Sequence, residues 1–358
     1  MEYSFYDFLK LIGSLGLFLY GMKIMSEGLQ KVAGDRLRSI LTAMTTNRVT
    51  GVLTGVLITA LIQSSSATTV MVVSFVNAGL LTLAESISVI MGANIGTTVT
   101  AWIISIFGFK VDMAAFALPL LAIALPLIFS GKSNRKSVGE FIFGFSFLFM
   151  GLSYLKANAP DLNANPEMLA FVQNYTDMGF FSIILFLLIG TILTMIVQAS
   201  AATMAITLIM CANGWISLEL GAALVLGENI GTTITANLAA MVANTTAKRA
   251  AFAHFLFNLF GVAWVLAIFP FFLGWVGQLS IYLGIGDPFT NVGSVPVALS
   301  LFHTCFNVAN VLILIWFTKV IAKLVTHIIK SKESADDAFT LKHIKIGLLS
   351  TPDASLFQ

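Results

Sequence analysis

Between Arg48 and Glu85 the chain carries no charged residue, yet the centre of this apolar stretch is the polar run QSSSATT, from Gln63 to Thr69. As one helix, the apolar segment 50–79 would be about 45 Å long at ~1.5 Å per residue, against a hydrocarbon core of ~30 Å. Two half-helices that meet at the polar run would instead enter and leave on the same side of a membrane. Such a re-entrant hairpin is tolerated where its tip is buried in protein or lines a cavity. The stretch therefore predicts a hairpin with a polar tip.

The composition indicates that the whole chain is built for a bilayer. Of its 358 residues, 58% are hydrophobic and 10% are charged, and the mean hydropathy is +0.93, whereas soluble domains carry about 25% charged residues. The net charge of +2 comes with no basic patch, so no nucleic-acid partner is expected. The sequence predicts an all-α polytopic membrane protein. Its apolar segments are 8–28, 50–79, 84–108, 112–130, 138–155, 181–213, 217–242, 250–274 and 296–328.

An internal repeat organises these segments. Residues 55–101 align without a gap with residues 190–236, at a constant offset of 135, and 16 of the 47 positions are identical. The matched motifs include GANIGTTVTA, which begins at Gly92, and GENIGTTITA, which begins at Gly227. Each unit has the order span, hairpin, span, span, and three crossings invert the second unit relative to the first. Two inverted-topology repeats, each with a re-entrant helical hairpin and a broken helix, are typical of secondary transporters.

Each repeat offers two polar elements that we expect to form a ligand site. One is the hairpin tip, and the other is the following segment, where glycines are expected to open the helix. Hydroxyl and amide groups there can satisfy freed peptide groups or bind a ligand. The N-terminus of a half-helix suits an anion, and the carbonyl end suits sodium. The tips contain Gln63, Ser64, Ser65, Ser66, Thr68 and Thr69, or Gln198, Ala199, Ser200 and Thr203; the expected breaks contain Gly92, Asn94, Gly96, Thr97 and Thr98, or Gly227, Asn229, Gly231, Thr232 and Thr233.

The chemistry of this cluster limits the classes of ligand that it can bind. The cluster is neutral and contains no lysine or arginine, so a bound anion needs counter-charge, because an isolated ion is costly in a low-dielectric site. Co-bound cations are the simplest source, which favours a small oxyanion bound together with sodium. The same oxygens can also bind sodium together with a carboxylate anion in place of the oxyanion. Glu228 stands where the first repeat has Ala93, and an intramembrane carboxylate is a candidate for cation binding, proton transfer or pairing with a donor.

At these motifs the chain resembles the type II sodium–phosphate cotransporter family, which has paired QSSS-type hairpins, each followed by G-x-N-I-G-T-[TS]. The resemblance covers about residues 8–328 and implies sodium-coupled import of inorganic phosphate by alternating access, without an enzymatic step. The phosphate ligands that it implies are Gln63, Ser64, Ser65, Ser66, Gln198, Ser200, Asn94 and Asn229. The candidate ligands of Na+, the coupling ion, are Gln63, Ser66, Thr68, Thr97, Thr98, Gln198, Thr203, Thr232, Thr233 and Glu228.

Three alternative functions make different demands on the same residues. A sodium-coupled symporter of another small anion, such as sulfate or a carboxylate, would use the same oxygens. A membrane phosphate sensor would bind the ligand without transporting it. An intramembrane hydrolase would need Ser65 activated by His254, and no nucleophile-elbow pattern supports that reading.

The expected domain plan is a transport domain over 1–330, with repeat 1 at about 8–130, repeat 2 at about 138–274 and a final span at about 296–328. The tail 331–358 resembles the cytoplasmic linker that, in bacterial members of the family, leads to a PhoU-like domain, which the chain is expected to lack. The positive-inside bias places the N-terminus outside and the C-terminus in the cytoplasm, across the inner (plasma) membrane. Phosphate, sodium and the lipid bilayer are the expected partners, and homo-oligomer formation is left open. The basic residues assigned to the inside are Lys31, Arg36, Arg38, Arg48, Lys132, Arg135, Lys136, Lys248, Arg249, Lys319 and Lys323.

Overall fold

The computed structural model describes residues 4–34, 40, 45, 47–160 and 174–331, and every regular element in these residues is helical. The predicted all-α class is therefore confirmed. The helices are α1 (Phe5–Ala33), α2 (Arg48–Ile62), α3 (Ser65–Asn77), α4 (Leu83–Ser105), α5 (Ala117–Ile128), α6 (Ser133–Asn158), α7 (Phe180–Val197), α8 (Ser200–Ala212), α9 (Leu218–Gly231), α10 (Thr233–Ala240), α11 (Thr245–Ala267), α12 (Phe269–Tyr282), α13 (Val295–Leu314) and α14 (Thr318–Ile328). Short π or 3-10 turns cover Ile106–Lys110, Met113–Phe116, Val292–Ser294 and Ile315–Phe317.

Three of the four hairpin arms are too short to span a membrane, whereas α7, the first arm of the second hairpin, has 18 residues. The arms α2, α3 and α8 have 15, 13 and 13 residues. At ~1.5 Å per residue they extend only about 20 Å, which is too short for a hydrocarbon core of ~30 Å. The six helical stretches of the described residues that are long and apolar enough to cross a membrane are Phe5–Ala33, Leu83–Lys110, Ser133–Asn158, Phe180–Val197, Thr245–Ala267 and Val292–Ile328.

Both predicted hairpins are present as reversals of the chain. Thr59 on α2 donates a hydrogen bond to the hydroxyl oxygen of Thr68 on α3, over 3.0 Å. Residues nine apart in a straight helix would be separated by about 13 Å, so the chain must turn back between them. Thr194 on α7 and Thr203 on α8 make the same contact at 2.9 Å. The insertion of these hairpins into a membrane stays a prediction.

The predicted break after the first hairpin is wrong. α4 continues without interruption from Leu83 to Ser105 and therefore passes through the whole GANIGTT motif. In the second repeat the helix is interrupted only at Thr232, whose φ of −59° and ψ of −26° remain in the right-handed helical region. No half-helix end is therefore opened at Gly92–Thr98. In the first repeat, the helix ends within the polar motifs are those of α2 and α3 at the hairpin tip.

Close helix packing explains the glycines of these motifs. A Cβ atom on Gly92 would overlap the carbonyl oxygen of Val52 on α2, and one on Gly227 would overlap the carbonyl oxygen of Leu187 on α7. The two contacts are related by the same offset of 135 residues as the sequence repeat. Small residues let helix backbones approach in this way, so each repeat uses glycine to pack the first hairpin arm against the following helix.

The first helices of the two repeats hold the halves of the chain together. Gly21 on α1 and Gly144 on α6 each face the backbone of the other helix, and the Lys31 ammonium lies 2.6 Å from a carboxylate oxygen of Glu140. The predicted final span contains two helices, α13 and α14. Apart from Ser331, the predicted tail 331–358 lies outside the described residues.

Candidate functional site

Each hairpin turns at a glutamine whose backbone is left-handed. Gln63 has a φ of 52° and Gln198 a φ of 53°, and among the described residues no other non-glycine residue has a positive φ. Holding such a residue in a sparsely populated region costs on the order of 1–3 kcal/mol, whereas glycine adopts this conformation readily. A glutamine at both tips therefore indicates a task for its side chain.

The Gln63 amide is fixed by two hydrogen bonds. Its Nε2 donates to the carbonyl oxygen of Ala60 over 2.5 Å, and its Oε1 accepts from the hydroxyl of Thr100 on α4 over 3.1 Å. Thr100 is not among the site residues predicted from the sequence, although it belongs to the repeated motif and has a counterpart in Thr235. That repetition is the signal that could have identified it.

The second arm of each hairpin begins at its tip, but the two arms are capped differently. Ser64 is the N-cap of α3, and its hydroxyl oxygen accepts from the backbone N–H of Ala67 at 3.2 Å. Ala199 takes the same place before α8 and provides no side-chain cap. The first N–H groups of a helix have no intrahelical acceptor and carry partial positive charge. Both tips therefore present helix N-termini of the kind that bind anions.

The two tips meet in one cavity of about 390 Å³, so the two repeats contribute to a single site. The predicted site residues in its wall are Gln63, Ser64, Ser65, Ser66, Thr97, Gln198 and Ser200. The wall also contains Leu19, Met22, Lys23, Ser26, Glu27, Gln30, Thr100, Ala199 and Ala201.

Helix α1 brings charge to this cavity, so its wall is not limited to the neutral cluster of the repeated motifs. Lys23 lies in the wall, with its ammonium 3.9 Å from a carboxylate oxygen of Glu27. Ser26 donates to the carbonyl oxygen of Ile62 over 2.6 Å, which ties α1 to the end of α2. No motif of the internal repeat marks these α1 residues, so their role in the wall depends on tertiary packing.

The remaining predicted residues do not line the cavity. Asn94 donates through Nδ2 to the carbonyl oxygen of Ile90 over 2.9 Å, and Asn229 donates to that of Val225 over 2.8 Å. Their side-chain oxygens, and hydroxyl lone pairs of the threonines, remain able to accept or to bind a cation. Thr98, Thr232 and Thr233 donate to carbonyl oxygens of the preceding helical turn, and Thr68 and Thr203 form the hairpin contacts.

Glu228 is the unusual group among the predicted residues that do not line the cavity. It is 2% exposed, and its Oε2 atom has no hydrogen-bond partner among the described residues. Nearby, Nε2 of His303 lies 3.4 Å from Oδ1 of Asn229. Since a buried carboxylate without a partner is costly, this oxygen is a candidate for contact with a cation or a proton. The described residues contain no group of three His, Cys, Asp or Glu suited to a metal ion, so sodium would depend on neutral oxygens as well.

A helical membrane protein with two repeated halves that share one polar cavity has the architecture of a secondary transporter. The model of the Na+/Pi-cotransporter family matches residues 17–157 and, a second time, residues 164–304. The chain belongs to this family. The two matches confirm the predicted resemblance and fit the two-repeat organisation, and they identify a multi-pass membrane transporter rather than an enzyme.

Relatives give the family a functional context. YqeW of Bacillus subtilis, an uncharacterized protein, is 32% identical over 318 residues, which are 88% of this chain and 96% of that protein. YjbB of Escherichia coli, whose name provisionally assigns it to inorganic phosphate export, is 28% identical over 353 residues, 97% of this chain and 60% of that protein. Sodium-dependent phosphate transport protein 2A of Rattus norvegicus is 41% identical over 100 residues, 27% of this chain and 15% of that protein. No solved structure matches significantly.

Proposed function

We propose that the protein is a sodium-coupled symporter that imports inorganic phosphate by alternating access. The observation that carries this proposal is the single cavity shared by the two hairpin tips. Hydroxyls of Ser64, Ser65, Ser66 and Ser200 line it together with the N-termini of α3 and α8. Hydroxyl and amide donors at helix N-termini match the acceptor oxygens of phosphate.

Sodium coupling follows from charge balance. Lys23 is the basic residue among the described cavity-lining groups, and Glu27 lies close to it, so the wall offers little net positive charge to a phosphate anion. Oxygens of Gln63, Ser66 and Thr97 in the wall can bind Na+, and the carbonyls at the C-terminal ends of α2 and α7 can add to them, since carbonyls at half-helix ends coordinate Na+ in secondary transporters. The buried oxygens of the other predicted residues, including Glu228, extend this candidate set. A site loaded with both ions is better neutralised than one loaded with phosphate alone, so closure is favoured when both are bound.

The charged residues of α1 in the cavity wall support a state open to the cytoplasm. Its wall includes Lys23, Glu27 and Gln30 towards the C-terminal end of α1, which the charge bias places inside. Near the C-terminal end of α4, the Trp102 indole donates to the Thr304 hydroxyl over 2.8 Å. This bond packs α4 against α13. At ~30 Å³ per molecule, the cavity has room for about a dozen waters, as expected for a vestibule that admits a hydrated ion.

The name of YjbB favours a second candidate, phosphate export. A sodium symporter moves phosphate in the direction of the combined gradients, so an inward sodium gradient drives import. An exporter that does not use sodium would instead release phosphate irrespective of that gradient. The two candidates therefore differ in their response to sodium.

The test is transport of radiolabelled phosphate in proteoliposomes, with protein-free liposomes as the control. Accumulation driven by an inward sodium gradient, and absent with an equal potassium gradient, is the expected result. Equal accumulation in potassium would contradict sodium coupling, and sodium-independent release from loaded vesicles would identify the exporter. Stronger competition by excess sulfate than by unlabelled phosphate would identify another anion as substrate, and phosphate binding without movement would identify a sensor.

A further inference from the structure

Helix α14 has three different faces. Thr318 and Val325 are buried, and Val325 packs in a core shared with α2, α4, α11 and α13. Val320, Leu324 and Ile328, spaced four residues apart on another face, are 47–59% exposed. The third face is polar and exposed, and consists of Lys319, Lys323, Thr326 and His327, continued by Lys330 just beyond the helix end. The buried face seats the helix on the protein and leaves an apolar and a basic face outside.

Two arginines set the depth of α14. Arg48, the first residue of α2, donates through Nη1 to the carbonyl oxygen of Trp316 over 3.2 Å. Arg249, near the start of α11, donates through Nε to the carbonyl oxygen of Ile329 over 2.9 Å. α14 therefore lies level with the N-terminal ends of two helices of the transport domain. Such ends are where apolar surface gives way to charge, which is the level of lipid headgroups.

The basic face is not neutralised by the described protein. The ion pairs recorded between described residues all involve α1, and none includes a residue of α14. A surface depression of about 510 Å³ is lined by Ala322, Lys323, Thr326, His327 and Lys330. Its two ammonium groups, with one hydroxyl and one imidazole beside them, match the charge and hydrogen-bonding capacity of a phosphate group.

We propose that α14 lies in the membrane interface and binds the phosphate headgroups of anionic phospholipids. The exposed apolar face takes the acyl-chain side, while the lysine stems extend along it and carry their charges to the headgroups. Free inorganic phosphate could use the lysines alone and would leave Val320, Leu324 and Ile328 uncovered. The combination of the two neighbouring faces is what selects a lipid.

The test is lipid retention by the full chain in detergent, measured by native mass spectrometry during titration with phosphatidylglycerol or phosphatidylcholine. The variant replaces Lys319, Lys323 and Lys330 by glutamine. A lysine near an anionic surface contributes about fivefold to binding, so the triple variant should lose at least tenfold in apparent affinity for phosphatidylglycerol. Binding of phosphatidylcholine should be unchanged.

A matched control removes three basic charges elsewhere on the predicted cytoplasmic side, by Lys132→Gln, Arg135→Gln and Lys136→Gln, and should keep the wild-type affinity. Equal losses in both triple variants would overturn the proposal, because only net charge would matter. Equal retention of both lipids by the wild type would also overturn it, as would full displacement of phosphatidylglycerol by excess inorganic phosphate. If the glutamine triple misfolds, arginine at the same three positions should restore both folding and lipid affinity; folding restored without affinity would contradict the proposal.

Discussion

The Oγ1 atom of Thr100 donates a hydrogen bond to Oε1 of Gln63 over 3.1 Å, which fixes the first hairpin tip to α4. Thr235 occupies the equivalent position of the second repeat, relative to Gln198, but its Oγ1 is buried without a partner among the described residues. Two repeats with the same motif thus differ at this pair. If the repeats exchange conformations when the cavity opens to the other side, the bond between Gln198 and Thr235 is expected to form in that state.

This asymmetry predicts opposite effects of Thr100→Val and Thr235→Val. Loss of one buried hydrogen bond is worth about 1 kcal/mol, or roughly fivefold in the ratio of two states. Thr100→Val should disfavour the state described here, whereas Thr235→Val should disfavour the opposite state. The readout is the rate at which Met22→Cys, in the cavity wall, reacts with an impermeant thiol reagent on the predicted cytoplasmic side, in a background without Cys211 and Cys305.

The rate should fall with Thr100→Val and stay equal or rise with Thr235→Val. Equal changes in both variants would contradict the exchange, because a general loss of stability acts on both alike. Thr326→Val serves as a control, since that threonine is exposed on α14 and bonds within its own helix.

Ser65→Ala should reduce sodium-driven phosphate uptake by about tenfold or more while the protein remains folded. Ser65 lies in the cavity wall, and its counterpart Ser200 keeps the hydroxyl in the second repeat. A hydrogen bond to a charged group is worth about 1.5–3 kcal/mol, which sets this magnitude. Ser74→Ala on the same hairpin arm is the control, because its exposed hydroxyl bonds only to Val70 among the described residues. Uptake like that of the wild type in Ser65→Ala would remove this hydroxyl from the site.

Glu228→Gln should change the sodium or the pH dependence of uptake. The substitution keeps the size of the side chain but removes its ability to carry negative charge or a titratable proton at the unpartnered Oε2 position. The half-saturating sodium concentration is expected to shift by several-fold, measured as initial uptake across a series of sodium concentrations and pH values. Glu219→Gln is the control on the same helix, since that side chain is exposed. Unchanged sodium and pH profiles in Glu228→Gln would exclude Glu228 from ion coupling.

The sequence predicted the hairpins because their constraint is local. The segment 50–79 is too long for one span and polar at its centre, so reversal near Gln63 was the simplest solution. The glycine motif was harder to interpret, because glycine both opens helices and lets them pack closely. A Cβ atom on Gly92 would overlap the Val52 carbonyl oxygen, which decides in favour of packing, and that contact appears only when α2 and α4 are placed side by side.

The candidate site was predictable to the extent that it repeats. Gln63 and Gln198, with the serines beside them, were found by the offset of 135, and they share the cavity. Lys23 and Ser26 could not be found in this way, because α1 reaches the cavity through tertiary packing and carries no repeated motif. The neutral cluster inferred from the sequence is therefore only part of the wall, and the charged pair Lys23 and Glu27 in the same wall could be found only from the fold.

The orientation of the chain is tested by Ser130→Cys in a background without Cys211 and Cys305. Ser130 follows α5 and precedes the basic residues Lys132, Arg135 and Lys136, and the positive-inside bias places this loop in the cytoplasm. In intact cells an impermeant thiol reagent should leave Ser130→Cys unlabelled and should label it once the membrane is opened. Ser153→Cys, exposed near the other end of α6, should show the reverse accessibility and label in intact cells. Rapid labelling of Ser130→Cys with protection of Ser153→Cys would invert the topology, and the described cavity would then open to the outside.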